Sequence, residues 1–142
     1  MIFVNPYKDF DGLLFDSLES EAIKHFGVPI KCEADDKSGN ELHYSEFILR
    51  FDPVRQGLRE CTLLPKCSAV IDRYPLAWDS GFLHALMLED PNMLEAHGFV
   101  VSLRFGLALT GFHDGDVDQM AVHAFRHGNW DARIGRMKRF LF

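Results

Sequence analysis

The hydrophobic and polar positions of this chain change their period along its length. Leu18, Ala22 and Phe26 recur every four residues, which places them on one face of a helix. Asp16 stands where an N-cap is wanted, Glu19 follows three residues later, Gly27 closes the stretch and Pro29 forbids its continuation. The spacing predicts a helix from Asp16 to Phe26. In "ELHYSEFILRF" the period shortens: Leu42, Tyr44, Phe47, Leu49 and Phe51 nearly alternate with polar residues, and the slip around Ser45 and Glu46 reads as a bulge. "DDKSGN" before it and "DPVRQG" after it carry turn chemistry, and "LRECTLL" and "CSAVID" follow as short strands separated by Pro65. Residues 28–72 therefore predict a meander of three or four antiparallel strands with one wet face.

Beyond "RYPLAWDSG" a helix is expected from Gly81 to Leu88, capped by Asp79 or Ser80 and ended by "EDPN", with a turn or short helix through Ala96. "GFVVSLRFGLALTGF" is the most strand-like run and predicts two strands meeting near Gly106. Asp116, with Gln119 three residues on and Gly128 as a stop, predicts a helix from Asp116 to Arg126. The tail from Asp131 fits helix or strand. The sum is an α+β fold: one domain over residues 1–142, a mostly antiparallel sheet of about five strands packed by two or three helices. Its expected core draws on Leu14, Phe15, Leu18, Ala22, Phe26, Phe47, Leu49, Phe51, Leu63, Val70, Phe82, Leu86, Val101, Leu103, Leu107, Ala121 and Phe125.

Composition narrows the class. A chain of 142 residues that is 47% hydrophobic, with thirteen phenylalanines, can bury a core without staples. Cys32, Cys61 and Cys67 are odd in number and lack metal spacing, which suits a reducing cytoplasm and core roles. The opening "MIFVNP" has no signal-peptide pattern, and Arg104 interrupts the longest apolar run, so no membrane segment is expected. A net charge of −6 disfavours a nucleic-acid partner. That charge is uneven: residues 33–46 hold five acids and one lysine, and the last ten residues hold four bases and no acid.

Candidate chemistry is sparse. "KDFDGLLF" resembles the nucleophile loop of the haloacid dehalogenase-like phosphatases, which would make Asp9 the nucleophile and Asp11 its acid/base partner. Three residues depart from it. Pro6 and Lys8 do not suit a buried approach strand, and Leu13 stands where that family has a hydrogen-bonding threonine. Asp11–Gly12 reads as a turn instead. "FHDGDVDQ" fails as a calcium loop, because Gln119 and Phe125 occupy the positions that need glycine and glutamate. His123 and His127, four apart on the expected helix, would share a face and with His113 or Asp114 form a zinc candidate, but Ala124 stands where a metalloprotease has its glutamate. Trp78 and Trp130 each adjoin an aspartate and are expected to cap the core. No complete catalytic set, metal site or cofactor motif is expected.

The stretches "HFGVP", "EFILRFDPVRQGLRECTLLP" and "TGFHDGDVDQMAVHAFRHGNWD" together resemble the immunity proteins of bacterial polymorphic toxin and contact-dependent inhibition systems. The resemblance implies a cytoplasmic, non-catalytic inhibitor, monomeric or homodimeric, that occludes the active site of a cognate protein toxin with acidic surface. Glu33, Asp35, Asp36, Glu41 and Glu46 on a hairpin and Asp114, Asp116 and Asp118 at a helix start are the carboxylates available for that contact. The alternative is a small metal-dependent hydrolase using Asp9 and Asp11, or the His123/His127 face.

Overall fold

A computed structural model describes residues 1–141. The chain begins with β1 (Ile2–Asn5), β2 (Asp9–Phe10) and β3 (Leu13–Leu14), then α1 (Glu19–Phe26). A meander follows: β4 (Lys31–Glu33), β5 (Glu41–His43), β6 (Phe47–Phe51) and β7 (Leu58–Leu63). Next come β8 (Ala69–Ile71), β9 (Tyr74–Pro75) and α2 (Ser80–Glu89). The last part holds β10 (Leu94–Ala96), β11 (Phe99–Ser102), β12 (Leu107–Thr110), a 3-10 turn at Val117–Gln119, β13 (Ala121–Phe125), α3 (Asp131–Ile134) and β14 (Lys138–Arg139).

The strands form two sheets. One has the order β3-β2-β1-β8-β9, and the other has nine strands in the order β14-β10-β11-β12-β13-β7-β6-β5-β4. Every pairing is antiparallel except β1 with β8. The fold is α+β and mostly antiparallel sheet, as expected, with more and shorter strands than the sequence suggests.

Alternation decides which side of the large sheet is wet. Leu42, Leu49, Cys61, Val122, Leu107 and Val100 lie on one face, and they share a continuous core with Ile2 and Val4 of β1 and Phe82, Leu83 and Leu86 of α2. The small sheet and α2 therefore cover that face. The opposite face carries Val101, Ala108 and Phe125 under Trp130, a second and smaller core covered by the C-terminal segment. That cover stops short of β7, β6, β5 and β4, whose side chains on this face are largely polar.

Several expectations need correction. Residues 121–125 are a strand, not part of a helix from Asp116 to Arg126; only the 3-10 turn forms there. Val122 and Ala124 point into the main core and His123 and Phe125 to the other face, and pairing with both β12 and β7 outweighs a local capping signal. The slip at Ser45–Glu46 is a hairpin turn between two strands rather than a bulge within one, closed by Tyr44 N–H donating to the Phe47 carbonyl at 2.9 Å. The first helix starts at Glu19, because Asp16 takes a left-handed backbone (φ 71°) and gives its carboxylate to Arg126. Glu21 accepts the Leu18 N–H at 2.9 Å in place of the expected cap. Leu14, Leu18 and Leu103 are exposed rather than core. The stretch to Ala96 is strand β10. The stop at Gly27, the Asp79 cap of α2 at 2.9 Å, and the two strands flanking Gly106 occur as expected.

Candidate functional site

The open part of the large sheet brings polar residues from five strands into register. Lys31 faces His43, Glu33 faces Glu41, Glu41 faces Arg50, Arg50 faces Glu60, and Thr62 faces His123. Their side chains form one chain of contacts. Lys31 Nζ lies 2.8 Å from Glu33, and His43 Nε2 lies 3.7 Å from Glu33 and 3.0 Å from Glu41. Arg50 NH1 pairs with Glu41, and Arg50 Nε donates to Thr62 Oγ1 at 3.2 Å. Thr62 Oγ1 and His123 Nδ1 are 2.9 Å apart. Glu60 lies beside this line, 3.7 Å from Arg50 Nε, and accepts from Asn129 Nδ2 at 3.4 Å.

This arrangement suits a neutral His123. With Arg50 donating to its oxygen, the buried Thr62 hydroxyl has its own proton to give, and His123 Nδ1 is the acceptor in reach. The neutral imidazole then carries its proton on Nε2. Burial holds His123 below the usual histidine range; Glu60 opposes that shift and Arg50 adds to it.

A cavity of about 620 Å³ lies over the line. Ile48, Arg50, Thr62 and His123 contribute to it from the sheet, His97 and Gly98 from the β10–β11 turn, and Asp114, Asp118 and Gln119 from the loop before β13. Thr110 Oγ1 donates to the Gln119 carbonyl at 2.7 Å and ties that loop to the sheet. The volume is in the range of small-molecule and side-chain pockets.

The carboxylates expected to bind a partner divide into groups. Glu33 and Glu41 lie on the open face, and Asp114 and Asp118 line its cavity. Asp116 is exposed in the same loop, where its N–H donates to Asp114 Oδ1 at 3.2 Å. Asp35 and Asp36 turn toward a separate recess of about 280 Å³ that Glu19 and Asp52 also line. Asp35 is engaged locally, accepting from Lys37 N–H at 2.8 Å and Ser38 N–H at 3.2 Å. Glu46 is exposed in the β5–β6 turn, apart from both groups.

The alternative hydrolase residues do not assemble. Asp9 belongs to an antiparallel hairpin, where it accepts from Asn5 Nδ2 at 3.0 Å and from Gly12 N–H at 3.3 Å. Asp11 makes the left-handed turn residue before Gly12 and accepts the Phe3 N–H at 3.1 Å. His123 and His127 part company because their segment is extended: His127 stacks on Tyr7 at 3.7 Å between ring centroids. Among the described residues, the one group of three or more potential ligands is Glu33, Glu41 and His43, whose ligand atoms lie within 4.8 Å of one another. Lys31 and Arg50 already balance those two carboxylates. Cys61 and Cys67 are buried, and burial pushes the Cys61 thiol up strongly and the Cys67 thiol to about 11, which makes both inert.

Sequence reasoning missed Arg50, Thr62 and Glu60. Each lies in a stretch expected as strand with no role of its own, and their convergence depends on which strands neighbour one another. No protein-family model matches the chain, and the searches of curated proteins and of solved structures gave no match. No helix among the described residues is long and apolar enough to cross a membrane.

Proposed function

We propose that the chain is a non-catalytic binding protein, most concretely a cytoplasmic immunity protein that neutralises a cognate bacterial toxin by covering its active site. One observation carries the reading. The uncovered face of the large sheet is bounded by carboxylates on two sides: Glu33 and Glu41 along the β4–β5 edge, held among Lys31, His43 and Arg50, and Asp114 and Asp118 at the cavity wall, which have no lysine or arginine partner among the described residues. A face of this kind complements a basic cleft, where opposite charges speed encounter and penalise wrong partners. The polar line beneath the cavity gives that face a fixed shape, because its side chains hold one another.

Co-expression with the toxin-like product of an adjacent gene tests this. The chain should restore growth and bind that product. Glu33→Gln, Asp114→Asn and Asp118→Asn combined should slow association by roughly tenfold at low salt and less at high salt. Failure to protect, or full protection and unchanged association by the triple variant, would sink the reading.

A second reading has one observation in its favour. His123 lines the cavity with Nδ1 2.9 Å from the Thr62 hydroxyl, where it is placed to take that proton as a general base. Turnover of a generic ester or phosphate substrate that vanishes in His123→Gln, or in Asp9→Asn with magnesium present, would replace the binding reading with a hydrolase.

A further inference from the structure

Two recesses next to the main cavity lie between the C-terminal segment and the sheet, of about 250 and 260 Å³. Both are lined by Phe99, Trp130 and Arg133, so they adjoin at these three side chains. Ala96, His97, Arg136 and Met137 complete one, and Arg50, Arg59, Glu60, His123 and Asn129 the other.

We propose that these adjoining recesses bind a small organic oxyanion, a carboxylate or phosphate carried on an apolar body. The first ground is charge. Among the described residues, Glu60 is the one carboxylate lining them, and Glu60 already lies 3.7 Å from Arg50 and 3.9 Å from Arg59. Among the described residues, no carboxylate lies within ion-pair reach of Arg133 or Arg136. The second ground is an orphaned donor. Trp130 is only 4% exposed, and among the described residues its Nε1–H has no acceptor. Trp78, by contrast, donates its indole N–H to the Cys67 carbonyl at 3.0 Å. Leaving such a donor buried and unpaired is costly and rare, and because Nε1 has no exposed surface here, a ligand oxygen relieves it only when the neighbouring side chains shift.

The remaining grounds give the ligand its body. Phe99 meets Trp130 edge-on at 5.2 Å, and Met137 packs against the same cluster, so part of the wall is apolar. Arg133 stacks over the Trp130 ring at 4.6 Å, which holds a planar guanidinium in a fixed place for an oxyanion. The site also employs two arginines of the basic C-terminal segment, for which acidic docking has no use. It stands independently of the toxin-binding reading.

The two tryptophans should give two indole N–H resonances in a nitrogen-edited NMR spectrum, and these are the readout. Phenyl phosphate and benzoate are the probes. At least one should shift the Trp130 resonance saturably with a Kd of roughly 1 mM or tighter and leave Trp78 in place. The probe that saturates first names the oxyanion. Arg133→Gln and Arg136→Gln should each weaken binding about tenfold. Trp130→Phe assigns the resonance; if that variant fails to fold, Trp78→Phe assigns it by elimination. The proposal is overturned if neither probe moves Trp130 at about 10 mM. Equal effects from neutral benzyl alcohol, unchanged affinity in both arginine variants, or inorganic phosphate binding as tightly as phenyl phosphate would each overturn it as well.

Discussion

Thr62 is nearly buried and holds both Arg50 Nε and His123 Nδ1 through one hydroxyl. Thr62→Val keeps the shape and removes the oxygen, so two polar groups lose their partner together. The expected cost is about 1–3 kcal/mol, read as a lower urea midpoint at constant slope. Asp52 makes a pH prediction. Its carboxyl is held down to about 2, first by the Arg55 N–H and then by the Val54 N–H and the Arg126 guanidinium, against the opposing effect of desolvation. Unfolded, the same group titrates near 3.8, so its folded pKa is the depressed one. Its stabilisation is complete above about pH 4 and is lost as pH falls toward about 2. The melting-temperature gap between the wild type and Asp52→Asn should close over that window, and a gap independent of pH would refute the assignment. Neither role was legible in the sequence. Thr62 looked like one strand residue among many, and Asp52 like turn chemistry.

Strand β1 shows how far alternation alone reaches. Val4 is 1% exposed and Phe3 54%, one residue apart on opposite faces of the small sheet. Val4→Asp should abolish folding or cost more than about 3 kcal/mol, whereas Phe3→Asp should change stability by about 0.5 kcal/mol or less, both measured by thermal melts. Strand β13 is the opposite case. "DVDQMAVHAFRHG" carries a capping pair and a glycine stop, yet residues 121–125 are flanked by β12 and β7 on either side. Hydrogen exchange checks this: the amides of β13 should rank among the slowest in the chain, while those of residues 114–119 exchange quickly. The local signal failed because a helix start and a turn before a strand share the same capping residues. The meander expected over residues 28–72 holds from β4 to β7, because a sheet covered on one side leaves a two-residue period in the sequence, but "CSAVID" leaves it and pairs in parallel with β1 in the other sheet.

At the scale of the whole molecule, distant segments are clasped together. Arg126, at the end of β13, donates to Asp16 at 2.7 Å and pairs with Asp52, so one guanidinium joins three stretches of chain. Arg126→Met should lower stability by about 2–3 kcal/mol, because Asp52 is left partly buried without its counter-charge; a loss below about 0.5 kcal/mol in urea titration would contradict that role. β1 pairs in parallel with β8 across most of the first half of the chain, and β13 inserts between β12 and β7. These neighbourhoods create the open face, its cavity and the recess around Trp130. The sequence by itself determined the fold class, the helices α1 and α2 and the strand stretches of β5 to β8, β11 and β12, because propensity and period act over a few residues. Tertiary structure alone decided that residues 121–125 are a strand, that His123 and Arg50 meet at Thr62, and that Trp130 lies beneath Arg133. Those outcomes depend on which strands become neighbours, and long-range pairing energy, rather than any local pattern, selects them.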